Sequence, residues 1–216
     1  MDKKTLVVVG AGKGMGNNIA EVFGKNGFRV VLMARSQASL EEYAGEFAAR
    51  GIEASGIAAD AADPESLSAA FSKVLAQFGA VDVLAYNACN LAPGKPSELS
   101  SAELMRHYQV DVASALHSVL HVLPGMRQRK SGTILFTGGG FALYPMPEFT
   151  CVSVDKAALR ALTMTLNAEL KEDGIFAGIV TIMGSIAAGT HFDPAEIAKA
   201  YWKLYEERKD PEIIFN

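Results

Sequence analysis

Two kinds of segment alternate along the chain. One consists of short apolar, β-branched runs, which are typical of buried parallel strands. The other has apolar residues at intervals of three or four, which is typical of helices packed on one face. The predicted strands are Leu6–Val9, Arg29–Met33, Ile52–Ala58, Val81–Ala85, Thr133–Phe136, Phe176–Met183 and Ile213–Phe215. The predicted helices are Met15–Lys25, Ser39–Arg50, Asp63 to Phe78, a long helix from Ser100, Val152–Lys171 and Asp193 to Arg208.

This alternation predicts the fold class. It indicates an α/β protein with a Rossmann-type, doubly wound parallel sheet in three layers, because helices that follow parallel strands cover both faces of the sheet. No linker, repeat or low-complexity segment divides the 216 residues. We therefore expect a single nucleotide-binding domain over residues 1–216, long enough to bury a core without disulfides or metals.

Charge and cysteine content indicate which binding partners and which cellular compartment to expect. The formal net charge of −4 argues against binding to nucleic acids or membrane surfaces, which requires a cationic face. Two cysteines far apart in sequence do not form a disulfide framework, so a reducing cytoplasm is expected. The apolar start of the chain is soon interrupted by glycines, and no apolar run is long enough for a membrane span. The prediction is a soluble, unprocessed cytoplasmic protein.

A glycine-rich turn follows the first predicted strand directly and precedes a helix. Glycine permits a tight turn and lets backbone N–H groups approach a pyrophosphate, and the helix N-terminus adds partial positive charge. In this strand–turn–helix context the pattern predicts dinucleotide binding, with a purely structural turn as the alternative. The predicted cofactor-binding residues here are Gly10, Gly12, Lys13, Gly14, Met15 and Gly16.

The end of the second strand distinguishes the two nicotinamide dinucleotides. An NAD binder has an acidic residue there, which accepts hydrogen bonds from the adenine ribose. This chain has Arg35 instead. A guanidinium is planar, multidentate and always charged, so it suits a 2′-phosphate, and Lys13 would add a second cation. We therefore predict NADP(H) as the cofactor. The alternative is that both residues are solvated surface cations.

The spacing Gly10-x3-Gly14-x-Gly16 resembles the short-chain dehydrogenase/reductase family, and the similarity extends over essentially the whole chain. Asp60 follows the third strand, where the family has an aspartate beside the adenine. Asn87 lies in Tyr86-Asn87-Ala88-Cys89, where the family carries Asn-Asn-Ala-Gly. Lys156 occupies the position of the family's active-site lysine. The resemblance implies that these three residues also contribute to cofactor binding.

The catalytic positions depart from the family pattern. The tyrosine that lies four residues before the lysine is Val152 here, and valine has no proton to give. The family's serine aligns with Gly139, and its asparagine aligns with Asp111. The resemblance implies that the retained Lys156 still holds the nicotinamide ribose, and it makes Lys156 and Asp111 candidate catalytic residues.

Other side chains near the expected site are candidate substitutes for the missing tyrosine. Tyr144 lies in the loop after the fifth strand and Tyr86 ends the fourth, although either is more often a packing aromatic. Cys89 and Cys151 also lie near the expected mouth. Lys156 could favour a reactive thiolate there, but small buried cysteines are the commoner outcome.

Two functions are compatible with these residues. One is an NADP(H)-dependent oxidoreductase of the short-chain type that acts on a small carbonyl or alcohol. The other is a non-catalytic NADP(H)-binding protein, either a sensor or the partner of an active subunit. No metal is predicted, since His117 and His121 are spaced for one but have no third ligand near them in sequence. The resemblance also implies a homodimer or homotetramer.

Overall fold

The computed structural model, which describes residues 3–216, contains one seven-stranded sheet in the order β3-β2-β1-β4-β5-β6-β7. All neighbouring strands are parallel. The strands are β1 Thr5–Val9, β2 Arg29–Ala34, β3 Ala54–Ala58, β4 Val83–Tyr86, β5 Gly132–Gly139, β6 Ile175–Ile182 and β7 Glu212–Phe215. The strand order reverses between β1 and β4. In such sheets ligands bind beside this reversal, at the carboxyl ends of the strands.

Seven α-helices cover the two faces of the sheet within the described residues. They are α1 Met15–Lys25, α2 Gln37–Ala49, α3 Pro64–Phe78, α4 Ser101–Tyr108, α5 Ser114–Arg129, α6 Thr150–Leu170 and α7 Pro194–Glu207. Buried residues of α1, α2 and α7 form one core cluster with the sheet, and those of α3, α5 and α6 form the other. The predicted α/β class, with a doubly wound parallel sheet in three layers, is confirmed.

The central strand β1 shows why the sequences of the strands are apolar throughout. Val7 and Val9 of β1 face the core cluster of α3, α5 and α6, whereas Leu6 and Val8 face the other cluster. Each of these side chains is at most 2% exposed. A parallel strand with helices on both faces buries both sets of alternating side chains, so its sequence is continuously apolar rather than alternating. No helix within residues 3–216 is both long and apolar enough to cross a bilayer.

Two of the boundaries that differ from the sequence predictions have clear local reasons. The third strand begins at Ala54. Ile52 lies in the turn that follows α2, where its N–H donates a hydrogen bond to the Phe47 carbonyl. The fifth strand continues to Gly139, which pairs with Ile182 of β6. The strand was predicted to end at Phe136, but pairing with a long buried neighbour extends it.

The long helix predicted from Ser100 is confirmed as one helical run over residues 101–129, but it contains a wider turn. Its start is confirmed, because Ser100 and Glu103 form a reciprocal capping box. A wider π-helical turn, Gln109–Ala113, then separates α4 from α5. Such turns insert one extra residue and are frequent at functional sites. The inserted turn contains Asp111 and therefore sets the direction of this side chain.

Candidate cofactor and active site

A cavity of about 640 Å³ lies at the reversal of strand order. Its walls come from the segments that follow β1, β2, β3 and β4. Its size falls in the usual range for small-molecule sites, roughly 300–1,000 Å³. Among the predicted residues, its lining includes Gly10, Arg35, Asp60, Asn87 and Cys89. The structure therefore brings together residues that are up to 79 positions apart in the sequence.

Two glycines of the turn are required by the protein's own packing. Gly10 has a φ of +91°, and a Cβ built there would overlap the backbone of Ala88. A Cβ on Gly16 would overlap the carbonyl of Gly10 and lie 2.9 Å from Ala11 Cα. Both collisions are with backbone atoms, which move only if the turn itself moves. These glycines let the start of α1 lie close against the turn and β4.

The other two glycines have a different role. A Cβ on Gly12 or Gly14 meets no protein atom within 4 Å. Helix α1, which begins at Met15, has no side-chain cap and no acidic residue in its first turn. An uncapped helix N-terminus presents free N–H donors and partial positive charge. This arrangement fits a dinucleotide pyrophosphate, because side chains would otherwise obstruct the approach to these donors.

The two predicted cations differ in what they contact. Arg35 is exposed on the cavity wall and forms no ion pair with any residue between positions 3 and 216. Lys13 is turned toward α2, where its Nζ lies 2.7 Å from Glu42 Oε1 and 4.0 Å from Glu46 Oε1. The hydrogen bond to Glu42 raises the pKa of Lys13. Arg35 is thus available to a phosphate, whereas Lys13 already has an acidic partner.

Asp60 also lies on the cavity wall, half-buried at the end of β3. Its Oδ1 accepts a hydrogen bond from the Ala62 N–H at 2.9 Å, and its own N–H donates to Ser66 Oγ at 3.0 Å. These local bonds fix the direction of the carboxylate before any ligand arrives. The carboxylate can accept hydrogen bonds from a ligand in the cavity.

Asn87 connects the glycine turn to the centre of the sheet. Its Nδ2 donates to the Gly10 carbonyl at 2.9 Å, and its Oδ1 accepts from Thr137 Oγ1 at 2.8 Å. The same Thr137 oxygen accepts a hydrogen bond from the buried Tyr201 hydroxyl at 2.8 Å. The side chain of Asn87 therefore holds the turn in place. Sequence reasoning missed Thr137 and Tyr201, since a threonine in β5 and an aromatic on α7 read only as packing residues.

Lys156 is almost fully buried beside the positions where the family pattern is lost. Its Nζ donates to the Thr137 carbonyl at 2.8 Å. A Cβ on Gly139 would lie 3.7 Å from the Lys156 side chain, an ordinary contact, so a methyl group fits there. Val152 lies one helical turn before Lys156 and is 1% exposed. The valine thus belongs to the core, and a larger side chain at this position requires its neighbours to move.

Asp111 is buried in the π-helical turn and accepts two hydrogen bonds. Its Oδ1 accepts from the Asn90 N–H at 2.7 Å, and its Oδ2 accepts from the Cys89 thiol at 2.9 Å. Cys89 is exposed as a residue, but loss of water around the sulfur raises the thiol pKa, and Asp111 raises it further. The Lys156 ammonium opposes this shift without overcoming it. The reactive thiolate considered from the sequence is therefore disfavoured.

Asp155, which sequence reasoning missed, is the unusual residue of this region. It is fully buried, and neither carboxylate oxygen has a hydrogen-bond partner among the described residues. Burial raises its pKa to about 7, the Asp111 carboxylate adds to the shift, and Lys156 opposes it. A usable signal was present in the sequence, since Cys151 and Leu159, four positions away on either side, are apolar positions of the same helix face.

The candidate substitutes for the tyrosine have different environments. Tyr86 is 1% exposed and its hydroxyl donates to the Val110 carbonyl, so it is a packing residue, and burial raises its pKa. Cys151 is buried, and burial likewise raises the pKa of its thiol. Tyr144 is 70% exposed in the loop after β5. Of these three residues, Tyr144 alone is exposed.

The histidine pair packs α5 against α3. The Nε2 atoms of His117 and His121 are 3.1 Å apart, and both contact Ser68 Oγ, at 2.9 and 3.1 Å. His121 also stacks on Phe71, and burial lowers its pKa. No group of three or more histidine, cysteine, aspartate or glutamate side chains converges within residues 3–216.

Known proteins place this geometry in a family. The family model described as short chain dehydrogenase matches residues 4–191. Oxidoreductase UcpA of Escherichia coli K12 is 30% identical over 173 residues, which cover 80% of this chain and 65% of that relative. This chain thus spans slightly less than two thirds of UcpA.

Solved structures with the same architecture include NADP complexes. A metagenomic short-chain oxidoreductase in complex with NADP has a TM-score of 0.89 at 26% identity, covering 98% of this chain and 96% of that one. An alcohol dehydrogenase from the archaeon Thermococcus sibiricus, complexed with 5-hydroxy-NADP, has a TM-score of 0.86 at 25% identity, covering 98% and 95%. With the family match over most of its length and the glycine turn at its switch point, the chain belongs to the short-chain dehydrogenase family.

Proposed function

We propose that this chain is an NADP(H)-dependent oxidoreductase that acts on a small carbonyl or alcohol. The observation that carries the proposal is the cavity wall itself. There the start of the glycine turn, Asp60 and Arg35, which has no acidic partner among residues 3–216, line a space of about 640 Å³. Two structures of the same family and architecture contain NADP or a derivative of it.

Each part of the cofactor has a residue that suits its chemistry. The free N–H groups at the start of α1 suit the pyrophosphate, and Arg35 suits the 2′-phosphate. The family resemblance assigns the adenine to Asp60, which lines the cavity, and the nicotinamide ribose to Lys156. When bound, NADP(H) supplies or accepts a hydride.

The chain's own residues provide less for proton transfer than is usual in this family. Lys156 contributes a fixed positive charge, which stabilises negative charge developing on a substrate oxygen. Asp111 holds the Cys89 thiol in one orientation. General acid catalysis contributes roughly 10²–10⁴-fold to rates, so its partial loss predicts a slow enzyme rather than an inactive one. Tyr144 is the proposed replacement donor because it is exposed in the loop that follows β5.

The second candidate is a non-catalytic NADP(H)-binding protein, a sensor or the partner of an active subunit. The burial of Val152 favours it, because the core has adapted to a side chain without a proton. It shares the proposed cofactor but predicts no turnover on any carbonyl or alcohol.

We further propose a homodimer or homotetramer located in the cytoplasm. Met105 on α4, Leu120 on α5 and Val154 on α6 are 63%, 56% and 43% exposed, which supports burial against another copy. Both cysteines are free thiols, as expected in a reducing compartment. The net charge of −4 supports small-molecule rather than nucleic-acid or membrane partners.

Two experiments test the proposal. A fluorescence titration with NADPH and NADH comes first, and absence of NADPH binding would refute both candidate functions. A screen of aldehydes, ketones and alcohols follows, with the wild type, Tyr144→Phe and Val152→Tyr/Gly139→Ser. Turnover by the wild type that falls in Tyr144→Phe supports the enzyme. Turnover by the double variant alone supports the binding protein.

A further inference from the structure

Three polar side chains from two helices meet outside the candidate active site. His117 and His121 lie one turn apart on α5, and Ser68 lies on α3. The two Nε2 atoms and the Ser68 Oγ form a triangle with sides of 2.9, 3.1 and 3.1 Å. All three residues are half-buried, and none of them lines the cavity of the cofactor site. We call these three residues the α3–α5 triad.

Protons alone do not satisfy the three contacts of the triad. The Ser68 hydroxyl donates to the Pro64 carbonyl at 2.8 Å, so only its oxygen lone pairs are left for the two rings. Each Nε2 atom carries one proton or none, so the pair supplies at most two protons for three contacts. With two protons, the two Nε2–H groups oppose each other. With fewer, lone pairs face each other across at least one side of the triangle. Every neutral tautomer therefore leaves one repulsive contact.

A single cation satisfies all three atoms at once. Neutral imidazole binds metals through a ring-nitrogen lone pair, and a hydroxyl oxygen also has lone pairs to offer. Donor atoms held 2.0–2.1 Å from zinc are about 2.9 Å apart at a right angle and about 3.3 Å apart at the tetrahedral angle. The three separations in the triad lie within this range. Two histidines four positions apart on one helix are also a spacing that zinc sites use.

The histidine pair is suited to hold a metal at neutral pH. Metal ligation requires imidazoles that carry no additional proton. Burial lowers the pKa of His121, and the neighbouring His117 lowers it further, because two charged rings with Nε2 atoms 3.1 Å apart repel each other. The His121 ring also stacks on Phe71, with the ring centroids 5.4 Å apart, which fixes its direction. The lone pairs that a metal needs are therefore present and oriented.

We propose that the α3–α5 triad binds one divalent transition-metal ion of the zinc class. His117 and His121 are its ligands through Nε2, and the Ser68 oxygen is a weaker third ligand. The sequence gave no reason to predict a metal, because this third donor lies 49 positions from His117. Imidazole suits zinc and its neighbours in the periodic table, whereas magnesium and calcium prefer oxygen ligands.

The expected role of the ion is structural. Since the triad lies outside the cavity, the ion ties α5 to α3 and takes no part in hydride transfer. No group of three histidine, cysteine, aspartate or glutamate side chains converges within residues 3–216, so water completes the coordination. The affinity is therefore lower than that of a closed site with four protein ligands. This inference is independent of the proposed function.

The test titrates the whole chain with Zn²⁺ after treatment with a chelator. Calorimetry is expected to show one ion bound per chain. A ligand that binds only the folded state stabilises it, so the melting temperature should rise by roughly 3–6 °C at a free Zn²⁺ concentration ten times the dissociation constant. His117→Ala/His121→Ala should lose both the heat of binding and the rise in melting temperature, and it should keep its affinity for NADPH.

The matched control is His107→Ala/His191→Ala, which removes the other two of the four histidines in the chain. This control should still bind one Zn²⁺. Two further measurements leave the histidine pair in place. Ser68→Asp provides a carboxylate, a better zinc ligand than a hydroxyl, and should tighten Zn²⁺ binding by about tenfold or more. In NMR spectra of the wild type, Zn²⁺ should shift the imidazole signals of His117 and His121 but not those of the other two histidines.

Three outcomes would overturn the proposal. The first is a dissociation constant for Zn²⁺ above about 0.1 mM in the wild type, which is too weak for a built site. The second is unchanged Zn²⁺ binding by His117→Ala/His121→Ala, or equal loss in the control variant. The third is an absence of NMR shifts at His117 and His121, which requires no variant to fold. Failure to bind NADPH would refute the proposed function and leave this inference standing.

Discussion

The two halves of the site are built by different means. In the cofactor half, at the ends of β1 to β3, the decisive features are backbone features: two glycines packed against backbone atoms and an uncapped helix start. In the reaction half, at the ends of β4 to β6, the decisive features are side chains whose charges interact, namely the buried Lys156, Asp111 and Asp155 together with Cys89. The backbone features depend on the fold and are retained as long as the fold is retained. A set of interacting charges changes with single substitutions.

This difference explains how a chain can retain one half and lose the other. Replacing the family's tyrosine by Val152 or its serine by Gly139 leaves the sheet and helix packing intact. Replacing Gly16 does not.

Gly16→Ala tests whether the cofactor half depends on backbone packing. The added Cβ overlaps the Gly10 carbonyl, which cannot move without moving the turn. We expect a loss of about 3 kcal/mol in the free energy of unfolding, measured with urea, and loss of NADPH binding. Gly12→Ala is the control, because its Cβ meets no protein atom within 4 Å. Equal destabilisation by both variants would contradict the assignment.

Asp155→Asn tests the buried charges of the reaction half. Because the pKa of Asp155 is raised to about 7, the folded state binds a proton that the unfolded state has lost once the pH exceeds about 4. The wild type should therefore lose stability as the pH rises from about 4 to 7 and change little above that. The neutral asparagine does not titrate, so the variant lacks this pH-dependent loss of stability. We expect the variant to be about 2–3 kcal/mol more stable than the wild type at pH 8, relative to their difference at pH 4.

Urea unfolding of both proteins across this pH range gives the measurement. Glu169→Gln serves as a control, because Glu169 is exposed and pairs with Arg127 on the surface. A parallel pH dependence of wild type and Asp155→Asn would show that Asp155 is ionised at neutral pH in the folded protein.

Arg35→Ala tests the choice between the two dinucleotides. Hydrogen bonds to charged groups contribute about 1.5–3 kcal/mol, so NADPH affinity should fall roughly 30-fold while NADH affinity stays the same. Lys13→Ala should have a smaller effect, since Lys13 is paired with Glu42. Fluorescence titration of both cofactors measures the change. An equal loss of NADH affinity would mean that Arg35 does not recognise the 2′-phosphate.

Tyr201→Phe tests the hydrogen bonds that connect the two halves. Tyr201 donates to Thr137, which in turn donates to Asn87 at the glycine turn. Removing one buried neutral hydrogen bond should cost about 1 kcal/mol in unfolding free energy. Tyr205→Phe is the control, because that hydroxyl accepts a hydrogen bond from exposed Lys4. An equal change in melting temperature in both variants would show that the buried hydrogen bonds contribute no more to stability than the exposed one.

Much of the fold was predictable because its signals are local. The strand positions, the helix starts at Met15 and Ser100, and the α/β class follow from periodicity and capping residues, which act within a few positions. The π-helical turn at Gln109–Ala113 was not predicted, since it depends on how α5 packs and on the hydrogen bonds of Asp111. The extension of β5 to Gly139 was missed for a similar reason, because a partner strand supplied it.

For the site, the sequence by itself determined the glycine turn, the arginine after β2 and the departures at Val152, Gly139 and Asp111. These features are residue identities and spacings, which can be read directly from the chain once the fold class is recognised. Only the tertiary structure decided that, among residues 3–216, Lys13 has an acidic partner whereas Arg35 has none and Asp155 is enclosed without a hydrogen bond. It also decided that Tyr86 is buried. Solvent exposure and electrostatic neighbours depend on residues distant in sequence, so no local pattern encodes them.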